Sequence, residues 1–154
     1  MFHLRQTRQG DLPRNFEIWK SSVEATHHFL SREDFLQIGD LVKHQYLPAA
    51  DLLVAADNND EPHGFMGVSE AHIDTLFVHA HSRGAGIGRM LVGRLLEAHD
   101  AITVDVNEQN LSGRGFYHHL GFEVFDRSER DDDGRPYPLL RMRRTRSNTH
   151  GMNV

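Results

Sequence analysis

The sequence predicts one α/β (α+β) domain in which helices lie on both faces of a mixed sheet, and three observations predict it. The chain has 154 residues, the size of one ordinary domain. Its hydrophobic periodicity reads β, α, α, β, β, β, α, β, α, β, β, an order most economically satisfied by a sheet layered with helices. Within that order, the β-α-β unit from Ile73 to Val106 predicts a parallel strand pair joined by a right-handed crossover.

Taken in order, Phe2, Leu4 and Gln6 alternate with polar neighbours and predict a first strand. Asp11 is placed to cap a helix with Pro13 in its first turn, where a missing N–H costs nothing. Leu12, Phe16, Trp19 and Val23 form its apolar stripe. Ser31, with Asp34 three residues on, opens a second helix whose stripe is Phe35, Ile38, Leu41 and Val42. The run Leu52 to Ala56, the turn signal Asp57 to Pro62 and the extended pattern His63 to Ser69 predict a hairpin. Ile73 to Val78 is a further strand. Ile87 to Ala98 is a helix with Ile87, Leu91, Leu95 and Ala98 on one face. Ile102 to Val106 is a strand, Leu111 to His119 a helix ending at a Gly121 turn, and Phe122 to Phe125 and Leu139 to Arg143 are the last two strands. The domain is expected to span 1–144, with 145–154 a polar, aperiodic and disordered tail.

Composition narrows the function classes. With no cysteine, a disulfide framework, a thiolate nucleophile and a cysteine-ligated metal are excluded. A net charge of −5 argues against a nucleic-acid partner, which needs a basic face to displace counterions. No apolar run approaches the ~20 residues that cross a bilayer, and Met1 to Arg8 lacks a secretory signal's apolar segment, so no membrane partner and a cytoplasmic location are expected. The twelve histidines raise the question of a metal. His27-His28, His79-x-His81 and His118-His119 lack the i, i+4 helical spacing or accompanying glutamate of a zinc site, so no metal is expected.

The stretch that carries chemistry is Arg83-Gly84-Ala85-Gly86-Ile87-Gly88-Arg89, between a strand and an amphipathic helix. Three alternate glycines let a ligand approach the backbone closely. At a helix start the N–H groups are unsatisfied donors at the positive end of the dipole, which suits a pyrophosphate. A Walker loop is excluded because Gly88 is followed by Arg89-Met90 rather than Lys and Ser or Thr. The G-x-G-x-G spacing, placed mid-chain, also differs from the dinucleotide fingerprint.

Leu76-Phe77-Val78 leading into Arg83-x-x-Gly86-x-Gly88 resembles the acetyl-CoA motif of the GNAT superfamily of N-acetyltransferases. Asn107-Glu108-Gln109-Asn110 followed by Phe116-Tyr117-His118-His119-Leu120-Gly121-Phe122 is similar to its second motif. Ser22-Val23-x-Ala25-Thr26-His27-x-Phe29-Leu30 and Gly134-x-Pro136-Tyr137-Pro138-Leu139-Leu140 bring the likeness nearer to the small bacterial YjaB-type members. The resemblance implies a mostly antiparallel sheet whose parallel β-α-β core splays at the cofactor cleft. It implies an N-acetyltransferase using acetyl-CoA as co-substrate. Leu76, Phe77 and Val78 would pair with the pantetheine arm. The amides of Gly84, Ala85, Gly86, Ile87, Gly88 and Arg89, with Arg83, would hold the pyrophosphate. Asn110 would hydrogen-bond the pantetheine arm, Asn107 would be a further cofactor-binding residue, and Tyr117 would lie by the thioester sulfur. Two departures are Ala80, where many members have proline, and the helix-weakening pair Gly113 and Gly115.

An amine attacks a thioester only as the free base, and an alkyl ammonium has a pKa near ~10.4, so a proton acceptor is needed. His72 is favoured as general base, since imidazole titrates near ~6.5. Asp74 and Glu70 share its alternation, and Glu108 ends the next parallel strand. Tyr117, a phenol, suits the general acid for the departing thiolate. His27, with Phe29 as an apolar wall, is expected to line the amine pocket. Direct attack in a ternary complex is the expected route. A non-catalytic acyl-CoA sensor and a transferase of longer acyl chains are the alternatives. The acceptor, a small-molecule or protein amine, and the choice between monomer and homodimer stay open.

Overall fold

The computed structural model describes residues 1–145. Its elements are β1 (His3–Gln6), α1 (Leu12–Thr26), α2 (Arg32–Leu41), α3 (Leu47–Ala49), β2 (Leu53–Ala56), β3 (Pro62–Ser69), β4 (His72–Val78), α4 (Ile87–Leu96), β5 (Ala101–Asn107), α5 (Leu111–His119), β6 (Glu123–Ser128) and β7 (Leu139–Thr145). The strands hydrogen-bond in the order β1-β2-β3-β4-β5-β7-β6. The pairs β1–β2, β2–β3, β5–β7 and β6–β7 are antiparallel, and β4–β5 is parallel. Thr145, the first residue of the expected tail, closes the last strand, and the remainder of that tail lies outside the described residues.

The chain divides into two compact units. The first comprises Met1–Val68 and Thr75–Gly93. Its core is Ile18, Trp19, Val23, Leu47, Leu52, Val54 and Phe65, all buried, so the stripe of α1 faces inward as its spacing requires. Trp19 stacks against Phe16 and Phe35 at ring distances of 5.7 and 5.6 Å. Ser31 caps α2 by accepting the Asp34 N–H at 3.1 Å. Asp11 precedes α1 without capping it. Its carboxylate instead accepts both terminal nitrogens of Arg5, at 2.8 and 3.1 Å, and the Arg8 N–H at 2.8 Å. Leu41 leaves its stripe and is 40% exposed, because at ~3.6 residues per turn it lies about 240° round α2 from Phe35, whereas Val42, the first residue of the π-helical turn Val42–Tyr46, comes back to the core side.

The second unit comprises Ser69–Asp74 and the residues from Arg94 onward. Ile102, Val104 and Val106 of β5 are buried with Leu140 and Met142 of β7, and across the antiparallel ladder Val104 pairs with Met142 and Val106 with Leu140. The residues between them, Thr103, Asp105 and Asn107, project to the other face of the sheet and are partly exposed. The parallel ladder joins His72 to Thr103 and Ile73 to Val104. Helix α5 carries Tyr117 inward, its ring edge-on to Phe116 and Phe122 at 5.0 and 5.3 Å. Ala98 falls beyond the end of α4 and is exposed, since that helix stops at Leu96.

Candidate active site

In the first unit, β4 ends in Leu76, Phe77 and Val78, each partly exposed despite its apolar side chain. Gly64 on β3 lets Ile87 and the Phe77 backbone pack close against it. A Cβ at Gly64 would lie 2.7 Å from Ile87 Cγ2 and 3.2 Å from the Phe77 carbonyl oxygen. The chain leaves β4 through a 3-10 turn, Ala80–Ser82. The Ala80 N–H donates to Ser21 Oγ at 3.1 Å, a bond that the proline common at this position would forfeit. Gly84 and Gly86 then adopt φ of +85° and +83°, in the left-handed region that glycine enters without Cβ strain. Helix α4 starts at Ile87, and its Met90 N–H turns back to the Gly86 carbonyl at 3.0 Å. The amides before it are those a helix leaves without an internal partner. Arg83 to Arg89 is therefore a largely exposed chain of N–H groups at a helix start, which is what anion binding requires.

In the second unit, Asn107 ends β5 and Asn110 caps α5, accepting the Gly113 N–H on Oδ1 at 3.0 Å. That bond uses the amide oxygen and leaves the Asn110 NH2 group to donate elsewhere. It also accounts for Gly113. A Cβ there would sit 2.5 Å from Asn110 Nδ2, whereas Gly115 has open space at its Cβ position. Tyr117 is buried, and burial pushes its phenol well above the ordinary tyrosine range, so it remains protonated across the neutral and mildly alkaline range. Among the described residues, Asn15 Oδ1 is the one fully buried side-chain oxygen or nitrogen with no partner. The Tyr117 hydroxyl, for which no bond is found among them, therefore keeps some contact with solvent.

The candidate bases separate. His72 Nδ1 lies 2.7 Å from Thr103 Oγ1, and its Nε2 lies 3.8 Å from Asp105 Oδ2, which Arg141 also holds at 2.8 Å. Sequence reasoning misses this polar row across β4, β5 and β7, although the alternation of Thr103 and Asp105 with buried neighbours is its signal. Asp74 is exposed and accepts the Ser69 hydroxyl at 2.5 Å. Glu70 does not share the alternation of His72. It sits in the turn before β4 with φ +57°, which breaks the two-residue period. Glu108 is gripped by Arg127, its Oε2 lying 2.8 Å from Nη2, and that hydrogen bond holds its carboxyl below the usual range, which makes it a weaker base. His27 ends α1 with its ring 5.2 Å from that of Phe29 and its Nδ1 2.7 Å from Thr26 Oγ1. Burial, with His28 adding repulsion, lowers its pKa to about 4, so it stands neutral at pH 7.

One group of metal-ligand type occurs among the described residues: ligand atoms of Asp57, Glu61 and His63 lie within 4.8 Å of one another. Both His63 ring nitrogens are already engaged, by Asp57 at 2.7 Å and by Ser82 at 2.8 Å. Among the described residues, no helix is long and apolar enough to cross a membrane.

The pattern of the acetyltransferase (GNAT) domain family matches residues 22–145. The peptidyl-lysine N-acetyltransferase YjaB of Salmonella typhimurium is 44% identical over 142 residues, covering 92% of this chain and 97% of that protein. The solution structure of apo-form YjaB from Escherichia coli superposes with a TM-score of 0.88 at 44% identity, covering 93% of this chain and 97% of that one. A PaiA N-acetyltransferase from Thermoplasma acidophilum, solved in complex with coenzyme A, shares the fold at a TM-score of 0.77 and 17% identity, covering 94% of this chain and 99% of that one.

Proposed function

Because the chain belongs to the GNAT acetyltransferase family, we propose that it transfers the acetyl group of acetyl-CoA to the side-chain amine of a peptidyl lysine, by direct attack in a ternary complex. The observation that carries the coenzyme assignment is the pair of left-handed glycines, Gly84 and Gly86, that opens the loop before α4. The amides of residues 84 to 89 and the guanidinium groups of Arg83 and Arg89 receive the pyrophosphate. The backbone of Leu76 to Val78 pairs with the pantetheine arm, and the NH2 group of Asn110 donates to it. Asn107, at the end of β5, belongs to the same group of contacts. The acceptor class follows the activity for which the Salmonella relative is named, and a net charge of −5 suits a cationic substrate.

In this reading His72 takes the proton of the attacking ammonium, directly or through water, with its ring oriented by Thr103. Strand N–H groups near Phe77 and Val78 meet the developing oxyanion. Tyr117 gives its proton to the departing thiolate. Burial keeps this phenol protonated, so the proton is present to be given, while the same burial makes it a weaker acid than a free tyrosine. His27 enters as a neutral polar group beside Phe29 at the acceptor side.

Calorimetric titration with acetyl-CoA, alongside Gly86→Glu, tests the assignment. The variant strains a backbone at φ +83° and sets a carboxylate among the phosphate-binding amides. Saturable binding by the natural protein, lost in a variant that keeps its circular dichroism, is expected. A folded natural protein that binds neither acetyl-CoA nor CoA would sink the reading.

A further inference from the structure

Three residues of the first unit form a hydrogen-bonded chain that takes no part in the acetyl transfer proposed above. Asp57 Oδ2 lies 2.7 Å from His63 Nε2, and His63 Nδ1 lies 2.8 Å from Ser82 Oγ. Each member is fixed by its surroundings. Asp57 Oδ1 accepts the Asn59 and Glu61 N–H groups at 2.9 and 3.0 Å, leaving Oδ2 for the imidazole. The His63 carbonyl accepts the His79 N–H, and the Ser82 N–H donates to the His79 carbonyl, both at 2.8 Å. His63 thus holds the turn that leads into the phosphate loop through backbone and side chain together. Ser82 is joined by one peptide bond to Arg83, where that loop begins.

The direction of these bonds depends on the protons of His63. The hydrogen bond from His63, and after it the Glu61 N–H, hold the Asp57 carboxyl below its ordinary range, so Asp57 only accepts and Nε2 must carry a hydrogen. With a neutral ring, Nδ1 is an acceptor and the Ser82 hydroxyl spends its proton on it. With a protonated ring, Nδ1 donates to Ser82 Oγ and the serine proton is released to point elsewhere. The same protonation places a positive charge beside the loop. Glu61, on the turn, lies beside Asp57 and His63 and pairs with Arg14 at 3.5 Å. His79 follows β4 and is held toward neutrality by burial and then by Arg14. Phe2, just before β1, meets the His63 ring edge-to-face at 5.3 Å.

We propose that Ser82 is a further phosphate ligand for the coenzyme, positioned by Asp57 and His63, and that its engagement couples phosphate binding to uptake of a proton at His63. The proposal rests on the coenzyme reading of the glycine loop. It makes the first contact with the phosphate proton-linked and assigns work to two residues remote in sequence from that loop.

The test uses dephospho-CoA, whose pyrophosphate does not titrate near neutrality as a terminal phosphate does. Calorimetry near pH 6 and near pH 8, in two buffers of different ionisation heat, reads affinity and proton uptake together. The natural protein is expected to bind about fivefold more weakly at the higher pH, the effect of one charge across partly screened protein, and to take up part of a proton. His63→Gln should lose both the pH response and the uptake. Ser82→Ala should bind about fivefold more weakly at the lower pH and nearly normally at the higher, as expected for one charge-assisted hydrogen bond. Binding with proton uptake unchanged in His63→Gln, or unaltered affinity in Ser82→Ala at both pH values, overturns this proposal and leaves the coenzyme reading standing. No binding by the folded natural protein overturns both.

Discussion

Two side chains carry predictions that their surroundings make quantitative. His27 has a folded pKa of about 4 because it is desolvated by partial burial and lies beside His28, so between pH 4 and the unfolded value near 6.5 the unfolded chain binds more protons than the folded one. Stability must therefore fall as pH drops through that window, by about 2 kcal/mol between pH 7 and pH 5. Urea unfolding at the two pH values checks this, and His27→Phe should flatten the dependence. An equal slope in the variant would show that His27 stays exposed. Tyr117 is buried with no hydroxyl partner found among the described residues, so Tyr117→Phe should keep the fold and the coenzyme affinity. Its kcat should fall about 100-fold, the size of a general-acid contribution, and in the natural enzyme no alkaline limb should arise from this phenol below about pH 10. Unchanged kcat in the variant would remove Tyr117 from the chemistry. The glycine loop and Tyr117 are legible in the sequence because their spacing is local. Glu70 is misread there because one left-handed residue in a tight turn keeps the alternating letters while turning the side chain away. The Asp57–His63–Ser82 chain is not legible either, since its members meet only once β3 and the turn after β4 are side by side.

At the scale of the element, α5 shows why a helix with two glycines persists. Gly113 sits where a Cβ would collide with the capping Asn110, while Gly115 has open space around its Cβ position. Gly115→Ala should therefore stabilise the protein by about 0.5–1 kcal/mol through helix propensity alone. Gly113→Ala should forfeit that gain, because it displaces the cap, and should weaken coenzyme binding if the Asn110 NH2 serves the pantetheine arm. Thermal unfolding of the pair with and without acetyl-CoA distinguishes them, and equal stabilisation by both would show that the cap is dispensable. The elements themselves are readable because amphipathic period and caps are local properties. The helix Leu111–His119 falls where its pattern places it, and Ser31 caps α2. The π-helical turn after α2 is not readable, since inserting one residue per turn changes which side chains face inward without changing their type. The mixed order of the sheet follows from the β-α-β unit, whose crossover makes β5 a parallel partner of β4.

At the scale of the whole molecule, the histidines dominate the response to pH. The net charge is −5 with histidine neutral, and protonating all twelve would take it to +7, consistent with a pI near 6.1. His27, whose surroundings hold it neutral, resists this, so the swing is smaller. A lysine-bearing acceptor is therefore attracted at mildly alkaline pH and repelled below about pH 6, while the anionic coenzyme experiences the reverse. Because salt screens either field, the two regimes differ in the sign of the salt effect and not merely in rate. For a lysine peptide, kcat/KM should fall about threefold from low to high salt near pH 8 and should rise with salt near pH 5.5, the change expected for a modest long-range field. Measuring both with an acceptor of no net charge alongside removes the contribution of amine protonation, which is common to the two substrates. If the peptide and the neutral acceptor respond to salt alike at both pH values, acceptor capture is governed by contacts within the site and the acidic surface serves solubility alone.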